Sequence, residues 1–261
     1  MNEQAQEKLA RSLTSNTVDI IPFLPYLLQD LWELGSSPSE MLSLIQSHIR
    51  LDEDAYVLDL GCGKGAVSIQ LAKGLKCLFK GIDLIPDFVE YAREKAKEYD
   101  VSSLCEFEVG DIAEAVKKER CYDLVIYGAV GDVLPGRFNT LKALADTVKP
   151  GGHILIDDAY LPEKHKDGLR FQCEYPTLHE WKTFISEAGL EFIAHHVLHA
   201  ENPKNAQDLM NIKRRAGELS RAYPAKREMF AQYVLNQQDE YEDLESHLVG
   251  VVFLLARGKA R

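Results

Sequence analysis

The sequence is short of the features that mark specialised classes of protein. Its 261 residues hold five cysteines, Cys62, Cys77, Cys105, Cys121 and Cys173, with no CxxC pair among them. An odd, scattered set of thiols excludes a disulfide framework and a zinc ribbon, and it points to buried thiols in a reducing compartment. Long apolar runs are missing too. LVGVVFLLA, near the end, is far shorter than the ~20 residues that span a bilayer. The opening MNEQAQEKLARSLTSN lacks the basic and then apolar order of a secretory leader. These absences give the expectation of a cytoplasmic protein with no membrane partner. Positive charge is scarce: 30 Lys and Arg against 41 Asp and Glu leave a net charge of −11. A general nucleic-acid binder needs a basic surface for phosphate, so no nucleic-acid partner is expected.

What is present is a rhythm. Apolar residues at 46 % and charged residues at 27 % match a soluble globular chain, long enough for one large α/β domain with appendages. Short apolar runs, AYVLDL, CLFKGIDL, LCEFEV, YDLVIYG and HILIDD, alternate with amphipathic stretches such as PDFVEYAREKAKEY and RFNTLKALADTV. That alternation is the βα pattern of a mostly parallel sheet. EFIAHHVL and HLVGVVFLLA add two last strands, separated by about fifty residues that read as two helices divided at Tyr223-Pro224. Ahead of the sheet, PYLLQDLWEL places Leu24, Leu27, Leu28, Leu31 and Trp32 on one helical stripe. Ser37-Pro38-Ser39-Glu40 has capping-box spacing for the helix that follows, and Thr177 to Glu180 repeats it. The division expected is a helical lid segment at 1–50, a core at 51–200, a helical insertion at 201–245, and the final strand at 246–261.

One stretch carries chemistry. In VLDLGCGKGAVSIQLA, from Val57 to Ala72, an apolar run stops at Gly61, Gly63 and Gly65 and resumes at helical spacing. A strand, a glycine turn and a helix hold a ligand by backbone, and three ligands use such a turn: phosphate, a dinucleotide or S-adenosylmethionine (SAM). A P-loop needs Ser or Thr after its lysine, whereas Gly65 follows Lys64, so Lys64 reads as a solvated loop residue. Gly61-x-Gly63-x-x-Ala66 does satisfy the dinucleotide fingerprint, with Asp83 at a suitable distance for a ribose. Asp59 separates the two that remain. A carboxylate there repels a pyrophosphate and attracts the sulfonium and ammonium of SAM. The plainer role for Asp59 is to cap a backbone amide.

The stretch resembles motif I of the class I SAM-dependent methyltransferases, and the resemblance continues in order. GIDL at 81–84, VGDIAE at 109–114, YDLVIYGAVGDVL from Tyr122 and LADTVKPGGHILIDD ending at Asp158 are similar to the later motifs. It covers about residues 51 to 199. It implies a doubly wound, seven-stranded, mostly parallel α/β sheet whose last strand is antiparallel, with SAM as cofactor. By the same resemblance Gly61 and Gly63 would let backbone approach the methionine portion, and Asp59 would face its ammonium. Asp83 would accept from the ribose hydroxyls, with Ile82 and Leu84 flanking the adenine. Asp111 would accept from the adenine amino group, Ile112 would pack on the ring, and Tyr127 and Gly128 would lie near the methyl.

Acceptor chemistry is less legible. Ligands of such sheets bind beyond the carboxyl ends of the strands, which places Asp132, Asp157, Asp158 and Tyr160 near the acceptor. Strand alternation turns only one of Asp157 and Asp158 inward, and Asp158, Asp132 and Tyr160 are the catalytic candidates chosen. As caps and loop carboxylates they would have no such role. The loop YGAVGDV lacks the Asn/Asp-Pro-Pro-aromatic signature of enzymes acting on amino groups of adenine or glutamine, so a small-molecule acceptor is expected. His195, His196 and His199 lie on one strand, where residues four apart are roughly 13 Å distant, so no metal site is expected there. Lys213, Arg214, Arg215, Arg221, Lys226 and Arg227 form a basic run with Glu218 as its one acid. The simple reading is a solvated helix face; turned to the acceptor, the run would select an anion. Two other classes stay open: a SAM-binding regulatory module without turnover, and an NAD-dependent oxidoreductase.

Overall fold

The computed structural model describes residues 3–162, 175–199 and 203–259. Cys173 lies outside them. In chain order the elements are α1 (Glu3–Ser12), a 3-10 turn (Val18–Phe23), α2 (Leu24–Leu27), α3 (Pro38–His48), β1 (Tyr56–Leu60) and α4 (Ala66–Leu75). Then come β2 (Leu78–Asp83), α5 (Pro86–Glu98), β3 (Cys105–Val109), α6 (Ile112–Lys118), β4 (Tyr122–Gly128) and α7 (Arg137–Thr147). The chain continues through β5 (Val148–Tyr160), α8 (Leu178–Glu187), β6 (Leu190–Val197), α9 (Pro203–Ala222), a 3-10 turn (Pro224–Lys226), α10 (Arg227–Ser246) and β7 (Val249–Arg257).

The seven strands form one sheet in the order β3-β2-β1-β4-β5-β7-β6. β1 to β5 pair in parallel and β7 runs antiparallel to β6, which is the architecture that the family resemblance implied. Strand order reverses between β1 and β4, so their carboxyl ends open the crevice of a switch point. Register decides which side chains share a face. Val57 and Asp59 on β1 lie beside Leu124 and Ile126 on β4, and beside Phe79 and Gly81 on β2. Those apolar residues join Met41, Ile45, Val67, Ile69, Val89 and Ala92 of α3, α4 and α5 in one core. Burying a side chain of this size stabilises the fold by roughly 1.5–3 kcal/mol. On the other face, Trp181 of α8 lies 5.3 Å from the Phe253 ring of β7.

β5 is longer than HILIDD suggested, because it starts at Val148 and carries a bulge. Val148 pairs with Tyr122, and the next pair is His153 with Leu124. The Pro150-Gly151-Gly152 turn fills the gap. A Cβ on Gly152 would lie 2.9 Å from the Lys149 carbonyl oxygen and 3.1 Å from those of Tyr122 and Asp123.

The chain falls into two compact units. One runs from Trp32 to Asp158, from Leu178 to Leu198 and from Val251 onward, and holds most of the sheet. The other gathers the residues up to Leu31, Ala159–Thr177 and His199–Gly250. Within it, Phe23 meets Phe230 and Tyr223 edge-on, with ring centroids 5.0 and 5.2 Å apart. The boundary between these units falls between Leu31 and Trp32, and α3 lies in the unit that holds most of the sheet. The helix expected over PYLLQDLWEL fails, since regular helix stops at Leu27. Leu24, Leu27, Leu28 and Leu31 are all buried. The apolar spacing reported burial and not a continuous helix. Nor does Ser37 cap α3 through its side chain.

Candidate functional site

The glycine turn is built by two backbone bonds and one carboxylate. The Gly61 and Cys62 N–H groups donate to the Ile82 carbonyl at 2.8 and 3.1 Å, tying the end of β1 to β2. Gly61 has φ +78°, and a Cβ there would stand 2.8 Å from Val130 Cγ2, so both conformation and space require glycine. Asp83, at the end of β2, accepts from the Gly63 N–H through Oδ2 and from the Ile85 N–H through Oδ1, each at 2.9 Å. Each oxygen keeps a second lone pair. Asp59 is buried on the same face and accepts from Ser68 Oγ at 2.6 Å. Burial lifts Asp59 to about 6 despite that bond, and the charge of Asp83 adds to the shift. Burial raises Asp83 as well, against its backbone donors. Two carboxylates crowded beside a turn suit a ligand that brings positive charge and hydroxyl donors, and a pyrophosphate would worsen the crowding.

The other expected cofactor residues sit around this pair. Asp111 caps α6, its Oδ1 accepting from the Ala113 N–H at 2.8 Å, and Ile112 is buried behind it. Ile82 is buried on the opposite sheet face from Asp83, and Leu84 is half-buried. Tyr127 points to that opposite face too, its hydroxyl donating to the Gly131 carbonyl at 2.9 Å. Gly128 lies on the Asp59 face, and a Cβ there would stand 2.9 Å from Ser36 Oγ and 3.0 Å from Met41 Cε. Lys64 departs from expectation. It is 3 % exposed, with Nζ 4.9 Å from the Tyr91 ring centroid and 5.7 Å from that of Phe88. Its stem fills the space between turn and α5, and the aromatic faces hold its charge.

Sequence reasoning missed a strap. Residues Trp32 to Ser37 cross the carboxyl ends of β1, β4 and β5. Trp32 Nε1 donates to the Lys64 carbonyl at 3.1 Å, and Gln70 Nε2 donates to Glu33 Oε1 at 2.9 Å. Leu34 Cδ1 lies 3.2 Å from where a Gly63 Cβ would stand, and the Ser37 N–H donates to Asp157 Oδ2 at 3.0 Å. That last bond satisfies the Ser37 N–H, the group that Glu40 would have accepted from in a capping box.

The catalytic candidates are rearranged by the same geometry. Asp158 turns to the α7 face, where Arg137 lies 3.4 Å from it and 2.7 Å from Asp132. The Arg137 guanidinium also packs over the Trp181 ring at 5.4 Å. Asp132 and Asp158 are thus partners of one arginine on the side away from Asp59. Tyr160, the last residue of β5, falls in the second unit and is half-buried. The carboxyl that does share the Asp59 face is Asp157, which pairs in register with Gly128. It is 6 % exposed, and burial raises it to about 8.

These features are those of a known family. A family model described as "Methyltransferase domain" matches residues 51–241. The chain belongs to the class I SAM-dependent methyltransferases. Among curated members it is 26 % identical over 169 residues to 27-O-demethylrifamycin SV methyltransferase of Amycolatopsis mediterranei, covering 60 % of this chain and 58 % of that protein. It is 31 % identical over 158 residues to the ubiquinone biosynthesis O-methyltransferase of Neisseria meningitidis, covering 57 % and 65 %. The chain thus spans less than two thirds of the length of these relatives. In fold it resembles a SAM-dependent methyltransferase from Geobacter sulfurreducens solved with S-adenosyl-L-homocysteine (SAH), with a TM-score of 0.75 at 19 % identity over 90 % of this chain and 97 % of that one.

In this methyltransferase fold the histidines and the basic run have other work. His195 lies against Phe192 and Phe253, at 5.6 and 6.3 Å between ring centroids, while His196 and His199 are exposed. Among the described residues no three His, Cys, Asp or Glu side chains are placed to hold a metal ion. Arg214 and Arg215 do not form an open anion site. Arg215 grips Asp30 through Nε at 2.6 Å and an outer nitrogen at 2.8 Å, lies 3.0 Å from Glu218, and stacks over Tyr26 at 5.3 Å. Arg214 reaches the same Asp30 at 2.7 Å, and Lys226 reaches Asp19 at 4.0 Å. Replacing Arg215 with Ala is expected to lower the melting temperature, because a bidentate, stacked arginine is a structural tie. SAM affinity should stay put in the same variant. A calorimetric titration showing weaker SAM binding at unchanged melting temperature would overturn that assignment.

Proposed function

We propose that this chain binds SAM at the carboxyl ends of β1 and β2 and transfers its methyl group to a small molecule. The observation that carries the reading is the pair Asp59 and Asp83 beside the glycine turn, two carboxylates in need of a cation and of hydroxyl donors. Family membership and the small-molecule names of the two curated relatives support it. Arg214 and Arg215 of the basic run are engaged by Asp30 and Glu218, so these two lend no support to an anionic acceptor.

SAM would supply a methyl already activated by its sulfonium, leaving the protein mainly to orient and exclude water. Asp59 would stabilise the ammonium by charge. Asp83 would accept two ribose hydroxyls on its free lone pairs while its other lone pairs keep the turn closed. Asp111 has one oxygen committed to α6 and a second to offer the adenine amino group. Asp157 carries a proton at neutral pH, so it would act there as donor or orienting group, and as a base only above about pH 8.

Calorimetry tests the reading directly. SAM and SAH are expected to bind, and NAD is not. Binding near pH 6 should release a proton from Asp59, seen as a heat that varies with the buffer, because a cation favours its ionised form. Methyl-labelled SAM incubated with a metabolite extract would then mark the acceptor. No SAM binding at millimolar ligand would sink the proposal.

A further inference from the structure

Two cations of the basic run, Lys213 and Arg221, make no ion pair among the described residues, whereas Arg214, Arg215 and Lys226 do. They stand four residues either side of Gly217, so all three share one stripe of α9. Lys213 Nζ donates to Gln238 Oε1 of α10 at 3.3 Å, a neutral amide whose Nε2 donates to Glu242 at 3.0 Å. Arg221 folds back along α9, with an outer nitrogen 3.9 Å from where a Gly217 Cβ would stand. Beside this stripe α9 and α10 leave a groove of about 320 Å³, lined by Lys213, Gly217 and Ser220 on one side and by Ala231, Val234 and Leu235 on the other. That is the small end of the ~300–1,000 Å³ of small-molecule sites. Ser220 Oγ donates to the Ala216 carbonyl at 2.8 Å, so its proton is spent within the helix. Leu235 is 53 % exposed, and no carboxylate is among the lining residues. Gly217 keeps the groove open. Its backbone is helical and a Cβ would meet only ordinary contact, so neither conformation nor crowding requires glycine there. Glycine is also the weakest helix former apart from proline, so it costs α9 stability.

We propose that this groove binds a small amphipathic carboxylate, its apolar body on Ala231, Val234 and Leu235 and its head on the Arg221 guanidinium. A planar guanidinium matches a carboxylate with two parallel N–H donors. Lys213 adds a second positive charge along the same wall. A cationic head would meet two like charges, and a neutral head would leave the guanidinium without its anion. A fully polar anion would leave the valine and leucine in water.

The test is a calorimetric titration of the full chain with sodium octanoate, set against octylammonium, 1-octanol and acetate. Octanoate should bind at least ~10-fold tighter than each of the three, since it alone satisfies both the guanidinium and the apolar wall. Arg221→Gln should weaken octanoate binding ~10-fold or more and leave the response to 1-octanol as it was. Gly217→Ala should raise the melting temperature and weaken octanoate several-fold, because the added methyl occupies the groove. A merely structural glycine would not move those two readouts in opposite directions. No octanoate binding by the natural chain, or an affinity no better than that of octylammonium, overturns the proposal. Unchanged octanoate affinity in either variant overturns it as well. Binding to phosphatidylglycerol vesicles without binding to free octanoate would do the same, and would make the groove a membrane contact. SAM affinity should be unchanged in both variants, so either reading can fail with the other intact.

Discussion

Replacing Asp83 with Asn is expected to weaken SAM binding about 100-fold and to lower the melting temperature by a smaller amount in free-energy terms, because one backbone N–H of the turn loses its acceptor. The carboxylate accepts from Gly63 and Ile85 and, in the proposed complex, from two ribose hydroxyls. Hydrogen bonds to a charged group are worth about 1.5–3 kcal/mol each, so the two ribose bonds account for about 3 kcal/mol or more. An amide keeps the shape but turns a donor toward one of the two backbone N–H groups. The fold loses less, because burial already disfavours the ionised form of Asp83. Calorimetry with SAM and SAH, beside a melting curve, reads both numbers. Unchanged SAM affinity in a folded Asp83→Asn protein would remove Asp83 from the site.

The second large effect belongs to Asp157. Its folded pKa of about 8 stands far above the ~3.9 of an aspartate in the unfolded chain. Between those values the folded protein holds one proton more than the unfolded chain, so stability falls as pH rises, by up to about 1.4 kcal/mol per unit. Below about pH 4 the two states match, and above about pH 8 the full cost has been reached. Melting temperature measured from pH 6 to pH 9 should therefore decline. Asp157→Asn mimics the protonated form, accepts from the Ser37 N–H through its carbonyl, and should flatten the decline. A variant whose pH profile parallels that of the natural chain would show that Asp157 ionises normally, and its role at the site would go with it.

Much of this architecture could be read from the residues, for identifiable reasons. The βα alternation and the glycine turn are local patterns, and five of them in order fix strand sequence and switch point together. Asp83 and Asp111 could be placed at the carboxyl ends of β2 and β3 from the sequence, and there they accept backbone N–H groups of a turn and of a helix start. Lys64 was misread because a lysine in a polar turn gives no hint of Phe88 and Tyr91 arriving from α5. The helix over PYLLQDLWEL failed because leucines buried on all sides produce helical spacing without a helix. Asp157 and Asp158 were exchanged because Ile154, Leu155 and Ile156 are buried on both faces of β5, which leaves no alternation in the sequence from which to read parity. The strap was invisible, since its bonds run to residues thirty to one hundred and twenty positions away.

The bulge in β5 has a consequence for how this family can vary. Residues inserted or deleted between Val148 and His153 are absorbed by the turn, because pairing resumes afresh at His153 with Leu124. A single residue gained or lost between His153 and Asp157 has no such buffer. It would shift parity, aim Asp158 at the strap, and send the other carboxyl toward Arg137. Length changes in this strand should therefore be tolerated on one side of His153 and rejected on the other.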